Sequence, residues 1–429
     1  MILTAFVLLM VLLAIALPVA ATLGIMGLTL DALYSNLPLS RALAEVGWTS
    51  SNGFVLLSVP LFVMLGEVLL RSGLADKMYD SMTAWLGWLP GGLMHSNVGA
   101  SALFAATCGS SAATAATIAT VALPQAKKHN YSPGLFAGSL AAGGTLGILI
   151  PPSGNMIIYG IITNTSIPKL YLAGIVPGIL LALLFMLVIL VACVVKPALG
   201  GSIPAASWAE RLKSLIDLLP PLIIFATVIG SIYSGLATAT ESAALGLVAA
   251  FILVALKGRL TLRLVELVLE SSMRTTAMII MIIVAAFFLN FVIGGIGIVQ
   301  QINNFVTGLA IGKYELLCVI VVFYLILGCF METLSIMVVT LPIVAPVMFK
   351  AGFDPVWFGI IVIILIEAAL ITPPVGLNLY VIQGVRKEGS INEVIAGSAP
   401  FVIAMMLLII LLTIFPQIAL YLVGASGAL

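Results

Sequence analysis

Residues Gly143–Gly160 read GGTLGILIPPSGNMIIYG, a stretch apolar enough for a membrane interior yet unable to form one unbroken helix. Pro151 and Pro152 remove two backbone donors and disfavour helical geometry before them. Gly143, Gly144, Gly147 and Gly154 loosen the backbone, and Ser153 and Asn155 add two polar side chains. In hydrocarbon, interrupted backbone is tolerated only where it is buried in protein or lines a polar cavity. The same device returns at Thr372–Asn378, TPPVGLN. Two broken helices in matching places point to the binding site of a membrane transporter.

Composition sets the same class. Of 429 residues, 62% are hydrophobic and 8% charged, and mean hydropathy is +1.28. A soluble chain of this length needs far more charge to cover its surface. A net charge of +1, with basic residues scattered rather than clustered, argues against nucleic acid. Cys108, Cys193, Cys318 and Cys329 lie in apolar runs without a CxxC and read as packing residues. His95 and His129 flank polar turns and read as loop residues. The N-terminus lacks a basic n-region, its first basic residue being Arg41, and is read as retained membrane helix.

Apolar segments fill 2–28, 53–70, 97–124, 133–162, 171–195, 217–236, 242–256, 276–299, 316–349, 355–384 and 397–424. Pro18 leaves open whether 2–28 is one helix or two. Residues 78–94, with Trp85 and Trp88, suit a helix at the membrane interface. Segments 97–124 and 316–349 are rich in small residues and end in Leu123-Pro124 and Leu341-Pro342. If both are re-entrant hairpins, Arg71, Lys77, Lys127, Lys128, Lys196, Arg211, Lys213, Lys257, Arg259, Arg263, Arg274, Arg386 and Lys387 share one side. Arg41, Lys169, Lys313 and Lys350 then share the other, a division of 13 to 4 that makes the first side cytoplasmic.

An internal repeat runs through this pattern. Pro133 and Pro151 are 18 apart, as are Pro355 and Pro373, and the two pairs are offset by 222 (355 − 133, 373 − 151). The hairpin ends are offset by 218 (341 − 123). Both breaks read Pro-Pro-x-Gly followed closely by an asparagine. A third pair, Pro220-Pro221, lacks the glycine and is placed near a helix start. With the opposite sidedness deduced from charge, the chain reads as an all-α polytopic membrane protein built as an inverted repeat.

The chemistry available is that of oxygen atoms. No GxxxxGK[ST] is present; Gly308–Lys313 has the wrong spacing, which argues against ATP hydrolysis. Histidines at segment ends do not suit an intramembrane serine protease or a transition-metal site. Sodium, a hard cation, takes oxygens, including carbonyls freed by a broken helix. The first half offers Gly109, Ser110, Ser111 and Thr114 in CGSSAAT, opposite Gly144, Gly147, Pro151, Ser153 and Asn155. The second offers Glu332, Thr333 and Ser335 in METLS, facing Thr372, Pro373, Gly376 and Asn378. The competing reading is that these small residues let helices approach closely. Among membrane-depth carboxylates, Glu67 has Arg71 four residues on and reads as an ion pair. Glu241 opens a helix and reads as a cap. Glu332 and Glu367 lack a basic neighbour, and either suits a proton carrier, which would replace sodium by proton coupling.

GILIPPSGNMIIYG, CGSSAAT, LATATESAALG, FMETLSIMVVTLP and ITPPVGLNLYVIQG together resemble the large membrane subunit of tripartite ATP-independent periplasmic (TRAP) transporters, from about Leu12 to Phe415. The resemblance implies a sodium-driven secondary transporter of organic acids in a bacterial inner membrane. C4-dicarboxylates, keto acids and sialic acid are all open as substrates. It implies two partners, a small membrane subunit of about four apolar helices and a periplasmic substrate-binding protein, and no cofactor beyond the coupling ion. It also implies an elevator fold similar to divalent-anion/sodium symporters, with a scaffold at 1–95 and 196–315 and a transport domain at 96–195 and 316–429. An anionic substrate would bind between the broken helices at Ser153, Asn155 and Asn378. A proton-coupled transporter, or an ion channel, is the alternative.

Overall fold

Asp354 illustrates how this chain starts a helix. Its carboxylate accepts the N–H groups of Val356 at 2.8 Å and Trp357 at 2.9 Å, and Pro355 fills the first helical position, where no N–H is needed. The helix that follows, Pro355–Leu370, is buried on every face from Val356 onward, which matches its unbroken apolar sequence. A computed structural model describes residues 1–15, 17–201, 206–308, 311–329 and 331–425. Ala16, Leu309, Ala310, Phe330 and the last four positions, all touched by the sequence reading, lie outside that set.

Among the described residues the regular structure is helix, with one isolated bridge, Tyr131 to Gly200. Among the described residues seven helices are long and apolar enough to span a membrane, or eight if one bent pair counts as a span. That pair is Pro133–Leu149 and Gly154–Thr163, bent by 47° at the first diproline. Its counterpart divides into Pro355–Leu370 and Leu377–Arg386. Segment 97–124 becomes Gly92–Cys108 and Ser111–Lys128, and segment 316–349 becomes Lys313–Gly328 and Thr333–Lys350. In each case two helices are joined at a short break in the middle of the apolar run.

Pro133–Leu149 and Pro355–Leu370 pack together at the centre. Around them the halves interlock. Leu377–Arg386 sits on Ser111–Lys128 of the first half, while Gly154–Thr163 sits on Thr333–Lys350 of the second. The 222-residue spacing also governs helix limits: Ser111 and Thr333 begin equivalent helices and Lys128 and Lys350 end them (333 − 111, 350 − 128). Even the caps correspond, Ser110 accepting from Ala113 N and Glu332 from Ser335 N (332 − 110).

Lipid is as apolar as leucine, so close backbone packing must hold such helices together. Ile391–Ile414 lies along Pro133–Leu149 with Gly397 against the backbone of Gly134 and Gly138, closer than any side chain would permit. Ile167–Val195 buries Leu181, Phe185, Ile189 and Cys193 and exposes Ile179, Leu183, Leu187 and Val191, one inward and one outward stripe. Outside the centre, Leu262–Gly295 packs on Val19–Tyr34 and Ser58–Arg71, and Ala239–Leu256 on Ser58–Arg71 and Trp208–Tyr233.

Several expectations change. Residues 2–28 divide into Ile2–Ala14 and Val19–Tyr34 at Pro18. The interfacial stretch 78–94 divides between Leu74–Leu86 and the helix that starts at Gly92, after Gly91 adopts φ +94°. His95 therefore lies inside a helix, 1% exposed, with Nε2 3.0 Å from the Pro90 carbonyl, and is not a loop residue. Pro220 and Pro221 fall within Trp208–Tyr233 rather than near its start, because a Ser207–Glu210 capping box begins that helix at Trp208. Cys318 is exposed rather than packed. Two other readings hold: Thr238 and Glu241 form a capping box, and Glu67 pairs with Arg71 at 2.9 Å.

Candidate functional site

The first break is extended at Ile150 and Ser153, and the helix resumes at Gly154. Pro151, Pro152, Ser153 and Asn155 are buried. Ser153 occupies the N-cap position but caps nothing: its hydroxyl is buried without a hydrogen-bond partner, as is Asn155 Nδ2. Buried polar atoms of this kind are costly unless something satisfies them.

The tip of the first hairpin reaches this break. Gly109 turns the chain with φ +64°, and Ser110 caps Ser111–Lys128. A Cβ on Gly147 would meet the Ser110 carbonyl oxygen at 2.8 Å; one on Gly144 would meet the Ser111 carbonyl oxygen at 3.0 Å; one on Gly109 would meet the Pro152 carbonyl oxygen at 3.2 Å. The glycines thus allow the hairpin tip to pack closely on the break and on the helix before it. Thr114 Oγ1, beside Gly147, is buried without a partner. A cavity of about 250 Å³ adjoins the cluster, lined by Gly109, Ser110, Pro152, Asn155, Glu67 and Glu332 among others.

The second break is built differently. Pro373, Pro374 and Val375 are exposed where Pro151, Pro152 and Ser153 are buried. Cys329 Sγ lies 3.3 Å from the Pro373 carbonyl oxygen and 3.8 Å from that of Thr372. Thr372 turns its hydroxyl back to Ala368 O at 2.6 Å. Gly376 holds φ +51°, and a Cβ on it would meet the Thr372 carbonyl oxygen at 2.9 Å. Thr333 is buried beside Glu332, which lines the first-half cavity as well as capping the second hairpin. Asn378 is fully buried and crosses to the first half, Nδ2 donating to Ala141 O at 3.5 Å while Oδ1 has no partner.

Among the cross-half contacts that no local pattern marks are Asn378 to Ala141, and Ser111 Oγ to Glu367 Oε2 at 2.6 Å. Glu367 was legible only as a membrane-depth carboxylate without a basic partner. A larger open cavity, about 900 Å³, lies at the far ends of the same helices, lined by Lys127, Asn130, Tyr131, Arg386, Lys387 and Glu388. There Lys127 bonds Glu388 at 2.6 Å, and this hydrogen bond, with the lysine charge, holds the exposed carboxyl below its ordinary range.

Residues 6–418 match the family described as the tripartite ATP-independent periplasmic transporter, DctM component. A C4-dicarboxylate TRAP transporter large permease protein of Pseudomonas aeruginosa is 36% identical over 388 residues, 90% of each chain. A sialic acid TRAP transporter large permease protein of Vibrio cholerae is 30% identical over 372 residues, 86% of each. In three dimensions the chain is similar to the YdaH transporter of Alcanivorax borkumensis, with TM-score 0.66 at 14% identity over 94% of this chain and 98% of that one, a likeness of fold alone. The broken helices, the interlocked halves and a match over nearly the whole length agree: the chain belongs to the DctM-component family of tripartite ATP-independent periplasmic transporters.

Proposed function

We propose that this chain is the large permease subunit of a sodium-driven importer of small organic acids in the bacterial inner membrane. A periplasmic binding protein delivers the substrate, and a small membrane subunit completes the complex. The observation that carries the reading is the set of buried, unpartnered polar atoms at the breaks, Ser153 Oγ, Thr114 Oγ1, Asn155 Nδ2 and Asn378 Oδ1. In a membrane-embedded protein such atoms are retained where a ligand or ion satisfies them. Sodium is held by oxygens of Gly109, Ser110, Ser111, Gly144, Gly147, Pro151, Ser153 and Asn155 in one half, and of Glu332, Thr333, Thr372, Pro373, Gly376 and Asn378 in the other. The anion lies between the breaks, near Ser153, Asn155 and Asn378, facing helix N-termini that favour negative charge. The relatives' names include a dicarboxylate and sialic acid, so the substrate class stops at organic acids.

The hairpins are re-entrant, and the halves at 96–195 and 316–429 move together as an elevator against 1–95 and 196–315. Proton coupling through Glu367 is the second reading, favoured by its complete burial. The test is uptake by proteoliposomes holding both membrane subunits, with the binding protein outside. Omitting any component should abolish uptake. Substrate-independent conductance would instead favour a channel. Ser153→Ala and Asn155→Ala should weaken sodium dependence; unchanged dependence would remove those residues from the site.

A further inference from the structure

Glu367 is 1% exposed and sits on Pro355–Leu370, three turns beyond the capped start and just before the second break. It receives the Ser111 hydroxyl at 2.6 Å on one oxygen, while its other oxygen is buried with no partner. Ser111 belongs to the first hairpin tip, in the other half of the chain. The first-half oxygen set, Gly109 to Ser111 with Gly144 to Asn155, contains no charged side chain at all. A cation taken from water into such a site needs a nearby negative charge to offset its desolvation. Two carboxylates line the adjoining cavity: Glu67 already holds Arg71 at 2.9 Å, and Glu332, from the second half, is engaged in capping the second hairpin at Ser335 N.

The repeat sharpens the assignment. Subtracting 222 places Glu367 over Thr145 and Glu332 over Ser110 (367 − 222, 332 − 222). Both carboxyls of the paired sites therefore come from the second half, and the first half has hydroxyls in their places. Thr145 is fully buried and gives its hydroxyl to Ala142 O at 2.6 Å, an ordinary helix contact. We propose that Glu367 is a positioning residue that crosses from the second half to supply the counter-charge of the first-half cation site, holding Ser111 and offsetting the charge of the bound ion. Glu332 serves its own half, so each cation meets one carboxylate. Neither half then makes a balanced pair of sites alone.

This rests on the sodium reading above, and the test separates the two. The purified complex with its small subunit is unfolded thermally in rising NaCl, with KCl or choline chloride keeping ionic strength constant. The wild type should be stabilised by sodium and not by potassium. Glu367→Gln keeps shape and an acceptor for Ser111 but removes the charge. Its half-saturating sodium should rise about 10- to 100-fold, the usual cost of losing a partner that orients a metal ligand. Its sodium-free midpoint should not fall, because an uncompensated buried carboxylate has been removed. Glu367→Asp, keeping the charge at shorter reach, should fall between. A lower sodium-free midpoint with unchanged half-saturation in E367Q would mean a merely structural role and overturn the proposal. Should E367Q not fold, an E367D value equal to wild type would overturn it. A wild type indifferent to sodium would overturn the sodium reading, and this assignment with it.

Discussion

Replacing Gly147 with alanine probes the contact between the first hairpin tip and the first break. The new methyl would lie 2.8 Å from the Ser110 carbonyl oxygen, 2.9 Å from its carbon and 3.0 Å from Thr114 Oγ1. Ordinary contact begins at about 3.4 Å, so the tip must retreat by about 0.6 Å. The obstacle is backbone, which cannot rotate aside as a flexible side chain does. Overpacking of this kind costs about 1–3 kcal/mol. If that cost falls on the sodium-bound form, half-saturating sodium rises about 5- to 140-fold, at about 1.4 kcal/mol per decade. Gly154 supplies the control. It lies at the same break with nothing within 4 Å of its would-be Cβ and no positive φ. Gly154→Ala should leave sodium dependence unchanged and stabilise the fold by up to about 1 kcal/mol. The assay is a sodium titration of initial uptake in the three-component proteoliposome, with thermal unfolding of the same complex. Wild-type sodium dependence in G147A, or equal damage from G154A, would refute the close approach.

Gly138→Ala would drive a methyl into the Gly397 carbonyl, where backbone faces backbone, so a loss above about 3 kcal/mol and poor accumulation of folded protein are expected by fluorescence size exclusion. Thr238→Ala removes one partner of the capping box at Glu241 and should lower stability by about 1 kcal/mol in thermal unfolding, without changing sodium dependence. Lys127 holds the Glu388 carboxyl below its ordinary range, so their bridge contributes above the unfolded Glu value of about 4.3 and is lost as pH falls through the depressed one. Lys127→Ala should therefore lower Tm slightly at pH 7 in low salt, and the difference from wild type should vanish in high salt and once pH has fallen through the depressed carboxyl value.

How much of this was legible in the sequence follows from the range of each interaction. The breaks at Pro151 and Pro373 were plain because proline and glycine act on their own backbone. The repeat was legible through spacing, and the 222-residue offset reappears in the helix limits at Ser111, Thr333, Lys128 and Lys350; Leu123-Pro124 and Leu341-Pro342, read as the hairpin ends, instead lie inside those helices. Helix starts were less so: the apolar run marks 97–124, but Gly91 begins the helix earlier and carries His95 inside. Pro220-Pro221 was misplaced because the capping box at Ser207 lies in the polar stretch before the apolar run. The contact of Ser111 with Glu367 spans 256 residues, and no local pattern announces it. Nor did two near-identical Pro-Pro-x-Gly motifs reveal that one break is buried and the other exposed. That difference depends on which neighbours cover each break.

Proteoliposomes containing both membrane subunits, with the loaded binding protein outside, are given an inward sodium gradient or an inward proton gradient at clamped membrane potential. Sodium-driven uptake requires accumulation with the sodium gradient alone, its loss when a sodium ionophore collapses that gradient, and indifference to a protonophore. Accumulation that persists without a sodium gradient and collapses with the proton gradient would contradict it.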